Sequence, residues 1–462
     1  MAIQRQPGRF AAWGVLLVAL GGWSTDAVAA EQGKPRVLTR LFWQDEEARL
    51  VRSADLLSGE VPSLSAVTTV PGFPTLDTKR QSLVQMESSA GVLLVGVRDD
   101  DDGKFQSGWV LIETGVEEEE HGDHSHWAYP KAARVRAAVL DDKQGNPAHL
   151  YQYDGSFFVA NDQLNGFTWL NPKTITATDD VAAIRKKAAF HKGGGGHITL
   201  AAADNRFAWS TWIDREGDNK GRVDLVSLNP AGNTNILRSF TLPSGGIHGA
   251  TACSGKVFFA PADGICWVSA ADQSNPPRIQ QISLGQDGDR PRRTGAFSTY
   301  RNQVLFTTGG GETAALAFLD ASAATPQVTQ LTIPMAQGNR PGGLEVIQPR
   351  RGSPLAFIFH EHAADVAAPD KLTLVELDPN NDTHWNDARI ALELDVGPAK
   401  VEGHGGHHSV TVDADRRRAV IGNPGDGTAW VMTLDDRKIV AKLALGGNPC
   451  KLIAVGGRHS GH

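Results

Sequence analysis

The sequence predicts an all-β fold, a β-propeller of eight four-stranded blades, on three observations. Short β-rich runs alternate with Gly, Asn and Asp turns, these runs recur with a period of about fifty residues, and glycine is in excess. Glycine accounts for 50 of the 462 residues, about 11% against the ~7% of an average protein, which indicates many turns. Hydrophobic residues at 40% and charged residues at 21% are typical of a globular protein and exclude a disordered or collagen-like chain.

The repeat is marked by a Gly- or Pro-rich phrase just before the first strand of each unit. These phrases lie at residues 146–149, 194–197, 245–248, 293–295, 341–344, 405–408 and 447–450. Their successive spacings are roughly 48, 51, 47, 49, 64 and 42 residues. A period of about 40 to 50 residues that holds four strands is typical of a propeller blade. A β-sandwich or two unrelated β domains is the alternative.

The number of blades follows from the first strands, which begin near residues 82, 149, 197, 248, 295, 343, 408 and 450. The last unit has a single strand, 451–455, so we expect the N-terminal segments 37–42, 48–54 and 61–67 to complete it. Such a closure joins both ends of the chain in one blade and removes the open sheet edges. Seven blades is the alternative count. A helical pattern is confined to residues 180–190, and residues 31–462 are expected to form one domain.

The N-terminus predicts export. Arg5 and Arg9 precede an apolar run at 10–23, and the small residues at 27–30 offer a cleavage site, as in a secretory signal peptide. We therefore assign residues 1–30 to the signal peptide and expect no membrane insertion after cleavage. The net charge of −7 gives no basic footprint for nucleic acid. We expect a monomer.

The three cysteines leave their pairing open. Cys253 and Cys266 are close enough in sequence for a local disulfide in an oxidising compartment, which leaves Cys450 over. Whether the first two meet depends on strand register.

Four histidines occupy one repeat position, at the mouth of the channel that the first strands line. They are His149, His197, His248 and His408. Imidazoles that converge on one axis indicate a metal site, because neutral imidazole is a common metal ligand. Two loops expected on the same face, 360–362 and 402–408, mix imidazole and carboxylate, which favours Zn or Cu(II) and adds His404 and His407 as candidate ligands. The alternative is a set of hydrogen-bonded channel residues.

A second metal site is predicted in a His/Glu-rich loop at residues 116–130. Residues 117–126 hold five carboxylates and three histidines, His121, His124 and His126, a composition that captures metal ions. His124 and His126 flank one residue, so an extended segment directs both rings to one side. Strand counting places this loop between the third and fourth strands of the second blade, on the face opposite the channel mouth.

The chain resembles the periplasmic zinc metallochaperones of the AztD family over essentially its whole mature length. The resemblance is carried by residues 117–126, the Gly-Ile-His-Gly segment 246–249, the Ala-Asp-Gly segment 262–264 and residues 404–408. It implies a propeller in the periplasm that binds Zn²⁺ and passes it to the zinc-binding solute-binding protein of an ABC importer. The family's His-rich loop corresponds to His121, His124 and His126, and its channel-mouth ligands to His197, His248 and His408. Residues 243–245, Pro-Ser-Gly, stand where relatives have a cysteine, so the family's cysteine pair is not carried over.

The expected function is zinc binding and delivery without catalysis. The chain has no GxSxG elbow, no HExxH helix and no GxxxxGK[ST] loop. One alternative is a periplasmic propeller oxidoreductase with a His-ligated copper centre, although the chain lacks a Cys-containing copper domain. A plain interaction scaffold is the other.

Overall fold

The computed structural model is a ring of eight four-stranded antiparallel blades, which confirms the predicted fold and the higher of the two blade counts. It describes residues 35–101, 106–122, 125–232, 236–337, 339–362, 370–402 and 405–459. The predicted signal peptide at 1–30 lies outside these residues. The first strands begin at residues 81, 147, 200, 250, 298, 340, 409 and 449, within three residues of the predicted positions.

Each blade is a meander of strands that follow one another in sequence. Blade 2 consists of Gln81–Ser89, Val92–Asp99, Ser107–Glu113 and Arg134–Asp141. Blade 3 consists of Pro147–Tyr153, Ser156–Asn161, Gly166–Leu170 and Ala189–Lys192, and blade 4 of Leu200–Ala203, Phe207–Thr211, Arg222–Ser227 and Ile236–Thr241. Blade 5 consists of Ala250–Cys253, Lys256–Phe259, Ile265–Ser269 and Gln280–Ile282, and blade 6 of Ser298–Tyr300, Gln303–Thr308, Ala315–Asp320 and Thr329–Thr332. Blade 7 consists of Arg340–Ile347, Leu355–Glu361, Lys371–Glu376 and Arg389–Asp395, and blade 8 of Ser409–Val412, Arg418–Asn423, Thr428–Thr433 and Lys438–Ala444.

Blade 1 closes the ring with strands from both ends of the chain, as predicted. The C-terminal strand Pro449–Val455 pairs antiparallel with Val37–Asp45, which pairs with Leu50–Leu57. The short strands Ser63–Leu64 and Thr68–Thr69 complete its outer edge. First strands of neighbouring blades contact each other around the whole circle, from blade 1 to blade 8 and back, so these strands line the central axis.

The core is divided among the blade junctions. Eight apolar clusters of the described residues lie one at each junction, including the junction of blade 8 with blade 1. In the cluster between blades 1 and 2, Phe42 from the N-terminal part of the chain packs with Ile453 from the C-terminal strand and with Met86. A single blade has too little apolar surface to form a core alone, so the stability of each blade depends on its two neighbours.

Connections between strands carry the remaining elements. The predicted helix is Val181–Lys187, begun by Asp180, whose carboxylate accepts from the amide of Ala183. The 3₁₀ turns are Asp162–Leu164, Pro172–Thr174, Gly311–Thr313 and Trp385–Asp387. Glu117–Glu120 pairs with Ser125–Ala128 in one hairpin, and Gln286–Asp287 pairs with Arg290–Pro291 in another.

All three cysteines are free and buried. Cys253 lies in the first strand of blade 5 and Cys266 in the third, so the second strand separates the two thiols that the sequence left as a candidate pair. No helix among the described residues is long and apolar enough to cross a membrane.

Antiparallel pairing fixes which connections share a face. The start of each first strand and the end of each second strand lie on one face, which we call the mouth face. The connection between third and fourth strands lies on the other, the far face. Residues that precede first strands in different blades therefore gather around one end of the channel.

Candidate metal centres

Three of the four histidines predicted at one repeat position meet at the mouth face. His149, His197 and His248 offer ring nitrogens that all lie within 4.8 Å of one another. His149 is the third residue of the first strand of blade 3 and follows a register shift after Pro147, and such a bulge re-aims the side chains that follow it. His197 and His248 stand in the segments that lead into blades 4 and 5.

The three rings face each other closely. The Nε2 atoms of His149 and His197 are 2.9 Å apart. Ring centroids are separated by 4.6 Å for this pair, 5.2 Å for His197 and His248, and 5.8 Å for His149 and His248. His149 is buried, and the other two are partly exposed. The group therefore sits in the channel wall with one side open to solvent.

Two neighbours orient the rings. Asp162 Oδ2 lies 3.1 Å from Nδ1 of His197, and the carbonyl oxygen of Gly295 lies 3.2 Å from Nδ1 of His248. An acceptor at Nδ1 holds the proton on that nitrogen and leaves the Nε2 lone pair for a metal ion. The amide of Ile198 donates to Asp162 Oδ1 at 3.0 Å, which fixes the carboxylate itself.

This donor set fits a zinc ion. Tetrahedral zinc with Zn–N bonds of about 2.0–2.1 Å holds its nitrogens about 3.3 Å apart, so His149 and His197 would separate by only a few tenths of an ångström. A zinc ion would need the Nε2 lone pairs of both rings, so the proton of the hydrogen bond between His149 and His197 would have to leave these atoms when the metal binds. Three imidazoles leave the fourth coordination position for water or for a ligand from elsewhere.

Glycines let the backbone pack closely beside His197. At Gly195 a Cβ atom would lie 2.3 Å from the ring of Trp212, a distance at which one of the two must move. Gly194 has a φ of +78°, a conformation that favours glycine, and its amide donates to Asp224 Oδ2 at 2.9 Å. The run of glycines before His197 is therefore required by the path of the segment.

The predicted second site forms in the hairpin of blade 2. Glu119, His121 and His126 offer ligand atoms within 4.8 Å of one another, and the two rings are 4.5 Å apart. Glu119 lies directly opposite His126 in the strand pair, and its Oε1 is 3.5 Å from Nε2 of His121. Glu119 and His121 are exposed, so this group is more open than the one in the channel. His124 lies outside the described residues.

The two groups lie on opposite faces of the ring, as strand counting predicted. The hairpin connects the third and fourth strands of blade 2 and therefore emerges on the far face. Trp127 of the hairpin forms a bridge with His459, which follows the end of the first strand of blade 1 and so also lies on the far face.

The fourth histidine of the repeat position, His408, does not join the other three. Its Nδ1 donates to the carbonyl oxygen of Gly422 at 2.9 Å, its Nε2 lies 3.0 Å from Asp370 Oδ2, and its ring stacks on Phe359. The side chain has no exposed surface. The expectation that all four rings converge is wrong for His408, because acceptors in blades 7 and 8 hold both of its nitrogens.

His407 also belongs to this network on the mouth face. Its Nδ1 donates to Glu361 Oε2 at 2.7 Å, and this hydrogen bond raises the pKa of His407. His362 donates from Nδ1 to Asp370 Oδ1 at 2.6 Å. Metal ligation by His407 stays a prediction, and His404 lies outside the described residues.

Two residues of these sites were not singled out from the sequence. Asp162 directly follows the second strand of blade 3, the place in the blade where residues 360–362 stand in blade 7. The position of Asp162 in the repeat therefore predicts that it lies on the mouth face, although the repeat does not predict its contact with His197. Glu119 was one of four consecutive glutamates, and only strand pairing distinguishes it from the other three.

Comparison with known proteins establishes the fold. No protein-family model matches the chain, and no curated protein matches it in sequence. A structure of AztD from Citrobacter koseri is similar with a TM-score of 0.61 at 17% identity, over 92% of this chain and 100% of that chain. A structure of the apo form of the same protein gives 0.61 at 16% identity, over 92% and 99%. The dihydro-heme d1 dehydrogenase NirN in complex with DHE is similar with a TM-score of 0.51 at 14% identity, over 90% of this chain and 75% of that chain. The resemblance to AztD is thus confirmed at the level of the fold, an AztD-like propeller.

Asp370 makes the mouth-face network sensitive to acid. It accepts from the backbone amides of His362 and Ala399 and from the rings of His362 and His408, at 2.6 to 3.0 Å. Burial alone would raise its pKa, but these hydrogen bonds lower the pKa from 3.8 to about 2. A lowered pKa means that the carboxylate stabilises the fold fully above pH 3.8 and loses this contribution as the pH falls through about 2.

We predict that Asp370→Asn lowers the free energy of unfolding at pH 7 by about 1–3 kcal/mol, because charge-assisted hydrogen bonds are lost. The difference from the wild type should shrink as the pH falls from 5 towards 2, which urea unfolding at several pH values measures. Asp435→Asn is the matched control, since Asp435 is exposed. A difference that is independent of pH would contradict the role given to the Asp370 carboxylate.

Proposed function

We propose that this protein binds zinc in the periplasm and delivers it to the zinc-binding solute-binding protein of an ABC importer, with no catalysed reaction. The observation that carries the proposal is the group of three imidazoles at the channel mouth, with its oriented lone pairs and open fourth position. The AztD-like fold supports it, and the predicted signal peptide supports the location.

A carrier must bind its cargo and also release it. Four thiolates enclose zinc in a closed site, whereas three neutral imidazoles leave room for an incoming ligand. A cavity of about 600 Å³ opens on the mouth face and is lined by Ala148, Asn448, Glu46 and Arg98 among others, although none of the three histidines lines it. His197 and His248 are partly exposed, so a ligand from an acceptor can approach the metal from the solvent side of the group.

The hairpin group suits a second, more accessible zinc site. Glu119 and His121 are exposed, and the described hairpin strands carry glutamates at each of positions 117–120. A concentration of negative charge attracts cations before any ligand bond forms. This site therefore supports capture from dilute solution, while the channel site supports retention.

The positions of the thiols argue against one class of copper site, the blue-copper centre. Cys450 donates to Asn448 Oδ1, and Cys253 donates to the carbonyl oxygen of Arg301. Among the described residues, neither metal-type group includes a cysteine, the ligand of blue-copper electron-transfer sites. Copper loading remains an outcome of the binding experiment below.

We predict two zinc ions per wild-type chain in equilibrium dialysis. The His149→Ala, His197→Ala double variant should lose one ion, and the His121→Ala, His126→Ala double variant should lose the other. His384→Ala is the control, because His384 is exposed and outside both groups. Full stoichiometry in either double variant would exclude that group as a site, and a redox-active copper form would favour the oxidoreductase.

Asp162→Asn tests the orientation of His197. The variant keeps an oxygen that accepts from Ile198 but removes the charge that holds the proton on Nδ1 of His197. Loss of such an outer partner typically weakens metal affinity by about 10–100-fold, and we expect a loss of this size at the channel site alone. A competition titration with a fluorescent zinc chelator in the hairpin double variant measures it. An unchanged affinity would mean that Asp162 does not orient the ligand.

Delivery is tested with a metal-free zinc-binding solute-binding protein. Because the fourth coordination position is open, we expect a ligand of the acceptor to bind the metal before the imidazoles dissociate from it. The transfer rate should therefore rise with acceptor concentration. Stopped-flow measurement against a metal-free bystander protein of similar size gives the comparison. A transfer rate equal to spontaneous zinc release would contradict delivery while leaving zinc binding intact.

A further inference from the structure

Two arginines flank the glycine-rich segment that leads to His248. Arg293 donates from Nη2 to the carbonyl oxygen of Gly246 at 3.2 Å. On the other side, a Cβ atom added to Gly246 would lie 3.2 Å from Cγ and 3.5 Å from Nε of Arg215. Both guanidinium-bearing side chains therefore approach one short stretch of backbone.

The path of the segment holds Arg215 close. The amide of Gly246 donates to the carbonyl oxygen of Asp214 at 3.1 Å, and a Cβ at Gly245 would lie 2.3 Å from that oxygen. Any side chain at Gly245 would push the two segments apart. The pair of glycines thus has a structural role in bringing the arginine to the segment.

The two cations are not neutralised by an ion pair. Among the residues that the structure describes, no carboxylate forms a salt bridge with Arg215 or Arg293. Asp287, on the nearby hairpin, is bound by Arg292 instead, and Asp263 accepts from Ser244. Burial and the neighbouring charge of Arg215 lower the pKa of Arg293. Arg293 is partly buried and Arg215 is exposed, and two like charges that lie near each other attract an anion.

The arginines belong to the rim of the three-histidine group. Gly295, two residues after Arg293, supplies the carbonyl oxygen that orients His248. Ile213, two residues before Arg215, donates from its amide to the carbonyl oxygen of Gly195, two residues before His197. The segments that position two of the three imidazoles therefore also position the two guanidinium groups.

We propose that Arg215 and Arg293 bind one carboxylate of a small dicarboxylic acid whose other carboxylate occupies the fourth coordination position of the metal held by His149, His197 and His248. Guanidinium groups bind carboxylates through paired, charge-assisted hydrogen bonds. Three neutral imidazoles leave the charge of a divalent ion uncompensated, and a carboxylate ligand reduces it. The inference deepens the proposed function and rests on metal binding at the channel site.

The test uses Co²⁺ as a visible substitute for zinc in the full-length His121→Ala, His126→Ala variant, so that only the channel site is loaded. Succinate is titrated into the cobalt form while its visible absorption bands are recorded. We expect a saturable change, and adding Arg215→Gln and Arg293→Gln should raise the half-saturating succinate concentration about tenfold or more. Cobalt affinity without succinate is measured in the same variant, because Arg293 also donates to the segment that leads to His248, and the succinate titrations are compared at full cobalt occupancy.

Arg350→Gln with Arg351→Gln is the matched control. Both residues are exposed and lie between the first and second strands of blade 7, on the far face, and should leave the titration unchanged. If the variant that lacks Arg215 and Arg293 unfolds, Arg215→Gln alone replaces it, since that side chain is exposed. The inference fails, and the proposed function stands, if bound cobalt does not respond to succinate. The same holds if the titration is unchanged in the variant that lacks both arginines. Failure of cobalt to bind overturns the proposed function and the inference with it.

Discussion

Closure of the ring is the constraint on which the candidate metal site depends. The pairing of Pro449–Val455 with Val37–Asp45 makes blade 1 continuous, and the apolar cluster around Phe42 and Ile453 joins it to blade 2. Only a closed ring keeps every first strand at the same distance from one axis. His149, His197 and His248 are about fifty residues apart in sequence, and they meet because equivalent positions of a closed repeat converge.

The period of the sequence was therefore sufficient to predict which residues gather at the mouth. It placed the first strands within a few residues, because each blade begins after a turn phrase that glycine and proline make visible. The same period allows the strands of blade 2 to be counted, and the count places the hairpin on the far face. The separation of Cys253 from Cys266 follows from the same topology, because they lie in the first and third strands of blade 5 and the second strand runs between them.

What could not be predicted is the direction in which a ring turns once it is in place. His408 shares the repeat position but stacks on Phe359 and binds Asp370, two partners more than thirty residues away in sequence. Asp162 orients His197 through a contact across a similar distance. Such contacts depend on individual side chains, whereas the repeat describes only the backbone positions that its members share.

The two candidate sites differ in what surrounds them. The channel group is held by Asp162 and Gly295 in the wall of a packed ring, while the hairpin group lies on an exposed strand pair with glutamates around it. A site whose rings are held by fixed partners needs little rearrangement to bind a metal, and an exposed acidic site attracts cations from solution. The proposed function thus assigns retention and capture to opposite faces of one fold.

X-ray absorption spectroscopy of the zinc-loaded His121→Ala, His126→Ala variant tests the central claim most directly. The account predicts three imidazole nitrogens at about 2.0–2.1 Å and one further light ligand. A sulfur ligand at about 2.3 Å, or fewer than two imidazoles, would contradict a zinc site formed by His149, His197 and His248.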